Sequence, residues 1–294
     1  MPSPTFDLQS HSTCSDGALA PAAVVAHAAA AGVELLALTD HDTIDGVAEA
    51  AAAARAHGIA LSPAAELSAV DGSHEDVHIL GYELDIADAA LHAALEDYRS
   101  DRATRIVEMA NRMRELGFAL DEARLRERIA AGQPLGRPHL ADAVLAHPDN
   151  RARLAAEGIG RRGALFPAYL VPGAPGFVGR RRPTVGEAID LIRSAGGVAV
   201  WAHPFWDLDD ADEVLETLGR YAGLGLDGVE CFYASHTREQ TSLLHAQCLQ
   251  RGLLATGSAD FHAPDHEHFD AFRAFALYGL EPVLGPIGAR SGAV

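Results

Sequence analysis

Short apolar runs of strand length alternate along this chain with longer helical stretches. Residues 35–39, 198–202, 228–232 and 253–256 are nearly continuous in apolar side chains, and 6–9, 59–62 and 77–84 are shorter or mixed versions of the same pattern. Such runs predict strands buried on both faces. Between them lie helix signals. Pro21 opens an alanine-rich segment, 21–31, that stops at Gly32, and 47–57 stops at Gly58. Thr184 and Glu187 form a capping box ahead of Ala188, Leu191 and Ile192, and 213–221 and 237–251 complete the set. Strand followed by helix, repeated, predicts a parallel α/β barrel.

One segment breaks the rhythm. Over residues 99–182 no strand pattern is evident, and Ile106, Met109, Met113 and Leu116 recur at helical spacing. The expected organisation is therefore a barrel in two parts, 5–98 and 183–285, around a helical insertion, 99–182. The tail of the insertion is loop-rich and basic, at Arg161-Arg162 and Arg180-Arg181-Arg182. It reads either as a solvated charge run or as an anion-gripping loop.

Composition narrows the function classes. A chain of 294 residues with 48% hydrophobic content can bury a full core, and its apolar runs are far too short to span a bilayer. A cytoplasmic enzyme with no membrane partner is the expectation. Cys14, Cys231 and Cys248 lack paired spacing, so neither a disulfide framework nor a thiolate zinc site is indicated. The net charge of −18 repels long polyanions and argues against duplex DNA as a partner. Of fifteen histidines, His27, His57, His92, His147 and His245 lie in helical sequence and read as solvated.

The other ligand-type residues fall at or beyond strand ends: His11 and Asp16, Asp40 and His41, Glu66, His203, then Asp260 and His262, with His78 inside its strand. In a parallel barrel these ends open on one face, where active sites are built. Imidazole and carboxylate together suit zinc, manganese or iron. The supply exceeds the roughly three or four protein ligands of one ion, so two or three clustered divalent ions are expected, an arrangement used for displacement at phosphorus. Strand alternation sends one of Glu230 and Cys231 inward and the other toward the helices, with Cys231 read as packing. Asp42, Asp45 and Asp71 read as caps or solvent-facing charge.

These residues fall in an ordered series: Asp7 to Gly17 containing Gln9-Ser10-His11, then Leu38-Thr39-Asp40-His41-Asp42-Thr43, Glu66, Val77-His78, Ala202-His203-Pro204, and Gly257 to His262. The series resembles the successive motifs of the PHP (polymerase and histidinol phosphatase) family. The resemblance implies a distorted seven-stranded barrel holding two or three metals. It implies one ligand set of Gln9, His11, Glu66 and Asp260, a second of Glu66, His78 and His203, and a third of Asp16, His41 and His262. Gln9 departs from the family's His-x-His. The insertion and Gly136-Arg137-Pro138-His139 resemble the branch of bacterial phosphatases that remove the 3′-phosphate of nucleoside 3′,5′-bisphosphates, which implies phosphate contacts for Arg137 and His139. Ser235 and His236, after the strand 228–232, are candidates for substrate contact or leaving-group protonation, with helix capping an equal reading for Ser235. A small phosphorylated substrate, a nucleotide, is the expected partner. The alternatives are a 5′ to 3′ exonuclease on short RNA and a non-catalytic metal-binding module. The oligomeric state is left open.

Overall fold

The structure, a computed structural model, describes residues 4–72, 74–130, 135–179 and 183–289. The basic run at 180–182 lies outside the described residues. The chain divides into two compact units, Met1–Glu96 with Arg182–Val294, and Asp97–Arg181.

The first unit is a mixed α/β fold around a nearly closed seven-stranded barrel. Its strands are β1 (Phe6–Asp7), β2 (Leu35–Leu38), β3 (Ala60–Asp71), β4 (His74–Tyr82), β5 (Val198–Trp201), β6 (Gly228–Tyr233) and β7 (Leu254–Ser258), hydrogen-bonded in sequence order. The last strand meets the first through Leu8 N to Gly257 O at 3.2 Å and His11 N to Phe261 O at 2.8 Å. Asp7 adds to this closure. Its buried carboxylate accepts from Ala259 N at 3.0 Å and Arg273 N at 2.7 Å, and burial pushes its pKa up to about 7.

An all-parallel sheet is not what forms. β4 runs antiparallel to both β3 and β5, while the other pairings are parallel. The physical reason is the short connection after Asp71-Gly72. A parallel return needs a dozen or more residues, whereas Asp71 pairs with His74 across a two-residue connection that starts at Gly72, whose φ of 57° suits a hairpin turn. The third strand is also longer than the 59–62 run suggests, because the polar positions Glu66 and Ser68 continue it inside the barrel.

Helices α1 (Pro21–Ala30) and α2 (Val47–His57) pack on β2. Val24, Val25, Ala28, Ala50 and Ala54 bury against Leu36 and Leu38, and Gly58 ends α2 in the left-handed conformation at φ 69°. α3 (Ala89–Glu115) begins in the first unit and ends in the second. The second unit also holds α4 (Glu122–Ala130), α5 (Arg137–Ala146), α6 (Arg151–Ala156) and α7 (Arg162–Leu165) around Ile106, Met109, Met113, Leu140, Val144 and Leu165. Back in the first unit come α8 (Val185–Ser194), the single turn α9 (Pro204–Asp207), α10 (Ala211–Gly223) and α11 (Arg238–Arg251). The Thr184–Glu187 box caps α8, and Thr237 with Gln240 forms the same box on α11. Thr237, not Ser235, is therefore the cap of α11. Among the described residues no helix is long and apolar enough to cross a membrane.

Candidate metal centre

The loop after β1 is set by one buried carboxylate. Asp40 accepts from Ser12 N at 2.7 Å, Ser12 Oγ at 2.6 Å and Ser15 Oγ at 2.6 Å. This fixes the turn between His11 and Asp16, and it explains why Asp40 anchors the loop instead of joining the ligand groups below. Gly17 closes the turn so tightly that a Cβ there would stand 2.2 Å from His11 O.

Glu66 lies at the centre. Its Oε2 is 3.1 Å from His11 Nε2 and 3.6 Å from His41 Nδ1, while Oε1 is 2.7 Å from His78 Nδ1 and 3.4 Å from His203 Nε2. It reaches the site from within β3, and not from beyond a strand end, because β3 continues past it. Ser68 is paired with His78 in the register of β3 and β4, so Glu66, Ser68 and His78 share one sheet face. Asp260 Oδ1 is 3.1 Å from His11 Nε2, and Asp16 lies 3.7 Å from His41, from His262 and from His11.

Among the described residues, three groups offer ligand atoms within 4.8 Å of one another: His11, Asp16, His41 and His262; His41, Glu66 and His78; and His11, Glu66 and Asp260. The donors fit a divalent cation. His11 Nε2 lies 3.1 Å from both Asp260 Oδ1 and Glu66 Oε2, so a histidine and two carboxylates bury their donor atoms around one point. Burial alone would lower the pKa of His11, but Asp260 and Glu66 raise it well above the usual value. Burial would likewise raise Glu66, but the charges of His41 and His78 hold it well below the carboxylate range. Two of the converging residues have left-handed backbones, His203 at φ 28° and Asp260 at φ 56°, conformations that persist only where surrounding structure enforces them.

A supporting layer surrounds the cluster, of which Tyr233 and the role of Ser258 escape the sequence reading. Tyr233 donates its hydroxyl to Asp260 Oδ2 at 2.8 Å. Glu230 accepts from His203 N at 2.9 Å and lies 2.6 Å from Ser258 Oγ, which is 3.3 Å from Gln9 Oε1. Gln9 Nε2 in turn donates to Glu66 Oε2 at 3.0 Å. Gln9 is thus buried beside the cluster and tied to Glu66. Burial pushes Glu230 up to about 8. Alternation placed one of Glu230 and Cys231 inward, and it is Glu230. Cys231 points to α11, where its Sγ is 3.6 Å from that of Cys248, a proximity that their sequence spacing hid.

The other expected positions divide. In the second unit, Arg137 opens α5 with its guanidinium 3.5 Å from Leu170 O and over the Phe166 ring, and His139 Nδ1 accepts from Gly136 N at 2.9 Å. Arg162 forms a two-pronged pair with Asp142 at 2.6 and 2.7 Å, so this arginine of the basic tail is committed to a carboxylate. Ser235 is exposed. His236 is buried, its Nδ1 3.1 Å from Cys231 O, and burial lowers its pKa to about 4. Burial therefore favours the neutral imidazole at this position.

Three readings of non-site residues change. His245 is buried, with Nε2 2.8 Å from Glu281 O, and is not solvated. Asp42 is buried and accepts from Ser68 N at 3.0 Å. Asp71 accepts from Arg220 at 2.6 Å and from the Tyr221 hydroxyl at 3.0 Å.

Fold and cluster together define a barrel that gathers histidines and carboxylates around one glutamate. The PHP domain model matches residues 7–127. A 3′,5′-nucleoside bisphosphate phosphatase from Chromobacterium violaceum is 35% identical over 283 residues, 96% of this chain and 94% of the relative. A 5′-3′ exoribonuclease from Haemophilus influenzae is 32% identical over 261 residues, 88% and 90% of the two chains. A solved amidohydrolase from Chromobacterium violaceum, with bound sulfate and no metal, aligns with a TM-score of 0.79 at 32% identity, over 92% of this chain and 91% of that one. The chain belongs to the PHP domain family.

Proposed function

We propose that this protein is a metal-dependent phosphoesterase that releases phosphate from a small nucleotide, namely the 3′-phosphate of a nucleoside 3′,5′-bisphosphate. Two or three divalent ions of manganese, zinc or iron would be held by His11, Asp16, His41, Glu66, His78, His203, Asp260 and His262. The observation that carries the reading is Glu66, whose two oxygens face different histidines, His11 and His41 on one side and His78 and His203 on the other. A carboxylate so placed would be able to serve two ions at once. Bound divalent ions would supply Lewis acidity and make a nucleophilic water acidic enough to act near neutral pH.

The chain's own residues supply the positioning. Tyr233 fixes the carboxylate plane of Asp260, Glu230 holds the backbone that presents His203, and Gln9 steadies Glu66. Each acts by locking a rotamer or backbone before the substrate arrives. Arg137 and His139 are proposed as contacts to the non-reacting phosphate, on the motif and on the fit of a guanidinium to a phosphate.

The Haemophilus relative favours a second reading, trimming of short RNA from its 5′ end. Incubation of the metal-loaded protein with adenosine 3′,5′-bisphosphate and with a 5′-phosphorylated RNA pentamer separates the two. Inorganic phosphate from the bisphosphate, with the pentamer intact, is the expected result. Mononucleotides from the pentamer with no phosphate from the bisphosphate would establish the exonuclease, and inertness toward both would leave a metal-binding module.

A further inference from the structure

The turn that aims His203 also sets a second side chain. Trp206 N donates to His203 O at 2.8 Å within α9, and Trp206 is 50% exposed. The other large exposed apolar residues among those described, Val107, Ile129, Leu224 and Leu249, are aliphatic and lie in or at the ends of helices, where single exposures are ordinary. Trp206 belongs to a layer of rings continuous with the metal centre. Its centroid is 5.5 Å from Phe269, which is 5.4 Å from His262, and 6.3 Å from Tyr233, whose hydroxyl holds Asp260. Phe269 O also accepts from His262 N at 3.0 Å.

We propose that Trp206 is the platform on which the nucleobase of the substrate stacks, while its 3′-phosphate reaches the cluster below Tyr233 and Phe269. The inference deepens the nucleotide reading above and rests on it. A tryptophan that leaves half its surface in water beside a phosphoester site suits a flat, sequence-tolerant π-face, because every base has one. In a nucleotide only the sugar separates the base from the 3′-phosphate, and here only one ring, Phe269 or Tyr233, separates Trp206 from residues of the cluster. The platform makes the base part of recognition, so the enzyme would discriminate a nucleotide from a bare sugar bisphosphate.

The test uses the full-length, metal-loaded protein and two substrates, adenosine 3′,5′-bisphosphate and an abasic analogue with hydrogen in place of adenine. Trp206→Ala should raise KM for the adenosine substrate by about 5- to 100-fold, the range of a lost base stack, with kcat little changed. The abasic KM should not move, and Trp206→Phe should recover most of the loss. Equal KM changes for both substrates would overturn the platform and make Trp206 structural. Fluorescence gives a readout independent of turnover. The chain has two tryptophans, and Trp201 is 1% exposed. Titration with adenosine 5′-phosphate should quench Trp206 emission, and ribose 5-phosphate should not. If wild-type protein releases no phosphate from either substrate, the nucleotide phosphatase reading fails, and the quenching alone decides for or against the platform. A shift of the wild-type protein from dimer to monomer in Trp206→Ala, with no quenching, would replace the base by a second copy of the chain and overturn the proposal.

Discussion

At the scale of single residues, the cluster is held against local preference. His203 and Asp260 occupy left-handed backbone that costs about 1–3 kcal/mol for a non-glycine residue, and the carboxylates of Glu66 and Asp260 are buried side by side around His11. Such costs are borne where a ligand repays them. His41→Ala, His78→Ala and Asp260→Ala are therefore expected to lose more than ~100-fold in turnover, since even residues that only orient a ligand commonly cost 10–100-fold. Circular dichroism should show each variant folded, and near-wild-type activity in any two would sink the assignment. Tyr233→Phe removes only the hydroxyl on Asp260, so metal affinity should fall about 10-fold with the barrel intact, as metal titration would measure. These residues differ in legibility. A histidine beyond a strand end announces itself in the sequence, whereas Tyr233 and Ser258 are ordinary barrel residues until neighbouring strands bring them against Asp260 and Gln9.

At the scale of elements, strand and helix positions were readable because apolar runs, capping boxes and terminal glycines mark them locally. The direction of β4 is not legible in the sequence, although Gly72 carries turn chemistry for it, because the alternation of strand and helix elsewhere suggests a parallel crossover. The reversed strand matters to the site: it brings His78 onto the face of Glu66, and a slip of one residue would turn it away. The β6–α11 connection bears a prediction. His236 clasps it, with Nδ1 against Cys231 O and its own carbonyl accepting from the Tyr278 hydroxyl at 3.2 Å. Burial lowers its pKa from the usual 6.5 to about 4. Between those values the unfolded chain binds a proton that the folded chain does not, so folding stability from this group is present above about pH 6.5 and is lost as pH falls toward 4. The full loss is on the order of 3 kcal/mol. His236→Gln should therefore cost least, relative to wild type, near pH 4, and denaturant titrations from pH 4 to 7 would show it. A constant difference across that range would mean that His236 titrates normally.

At the scale of the whole molecule, the net charge of −18 sets the long-range field against polyanions. A bisphosphate presents few phosphates and can be gripped locally. Arg137→Ala should raise KM for a bisphosphorylated nucleotide more than for a simple phosphomonoester, by roughly 10-fold or more for a charge-assisted contact, and an equal effect on both would remove Arg137 from the phosphate role. The same reasoning separates the two substrate classes by salt. A single-stranded nucleic acid releases counterions in proportion to the phosphates contacted, with a log–log slope of about −0.7 per phosphate. If the substrate is a nucleoside bisphosphate, kcat/KM between low and moderate salt should fall with a slope no steeper than about −1 to −2. An RNA substrate running along several phosphates would steepen it well beyond that and would need a basic path through an acidic protein. Arg162, paired with Asp142, is ill-suited to provide such a path. A steep slope, persisting when the 3′-phosphate is removed from the substrate, would transfer the chemistry from phosphate release to chain trimming.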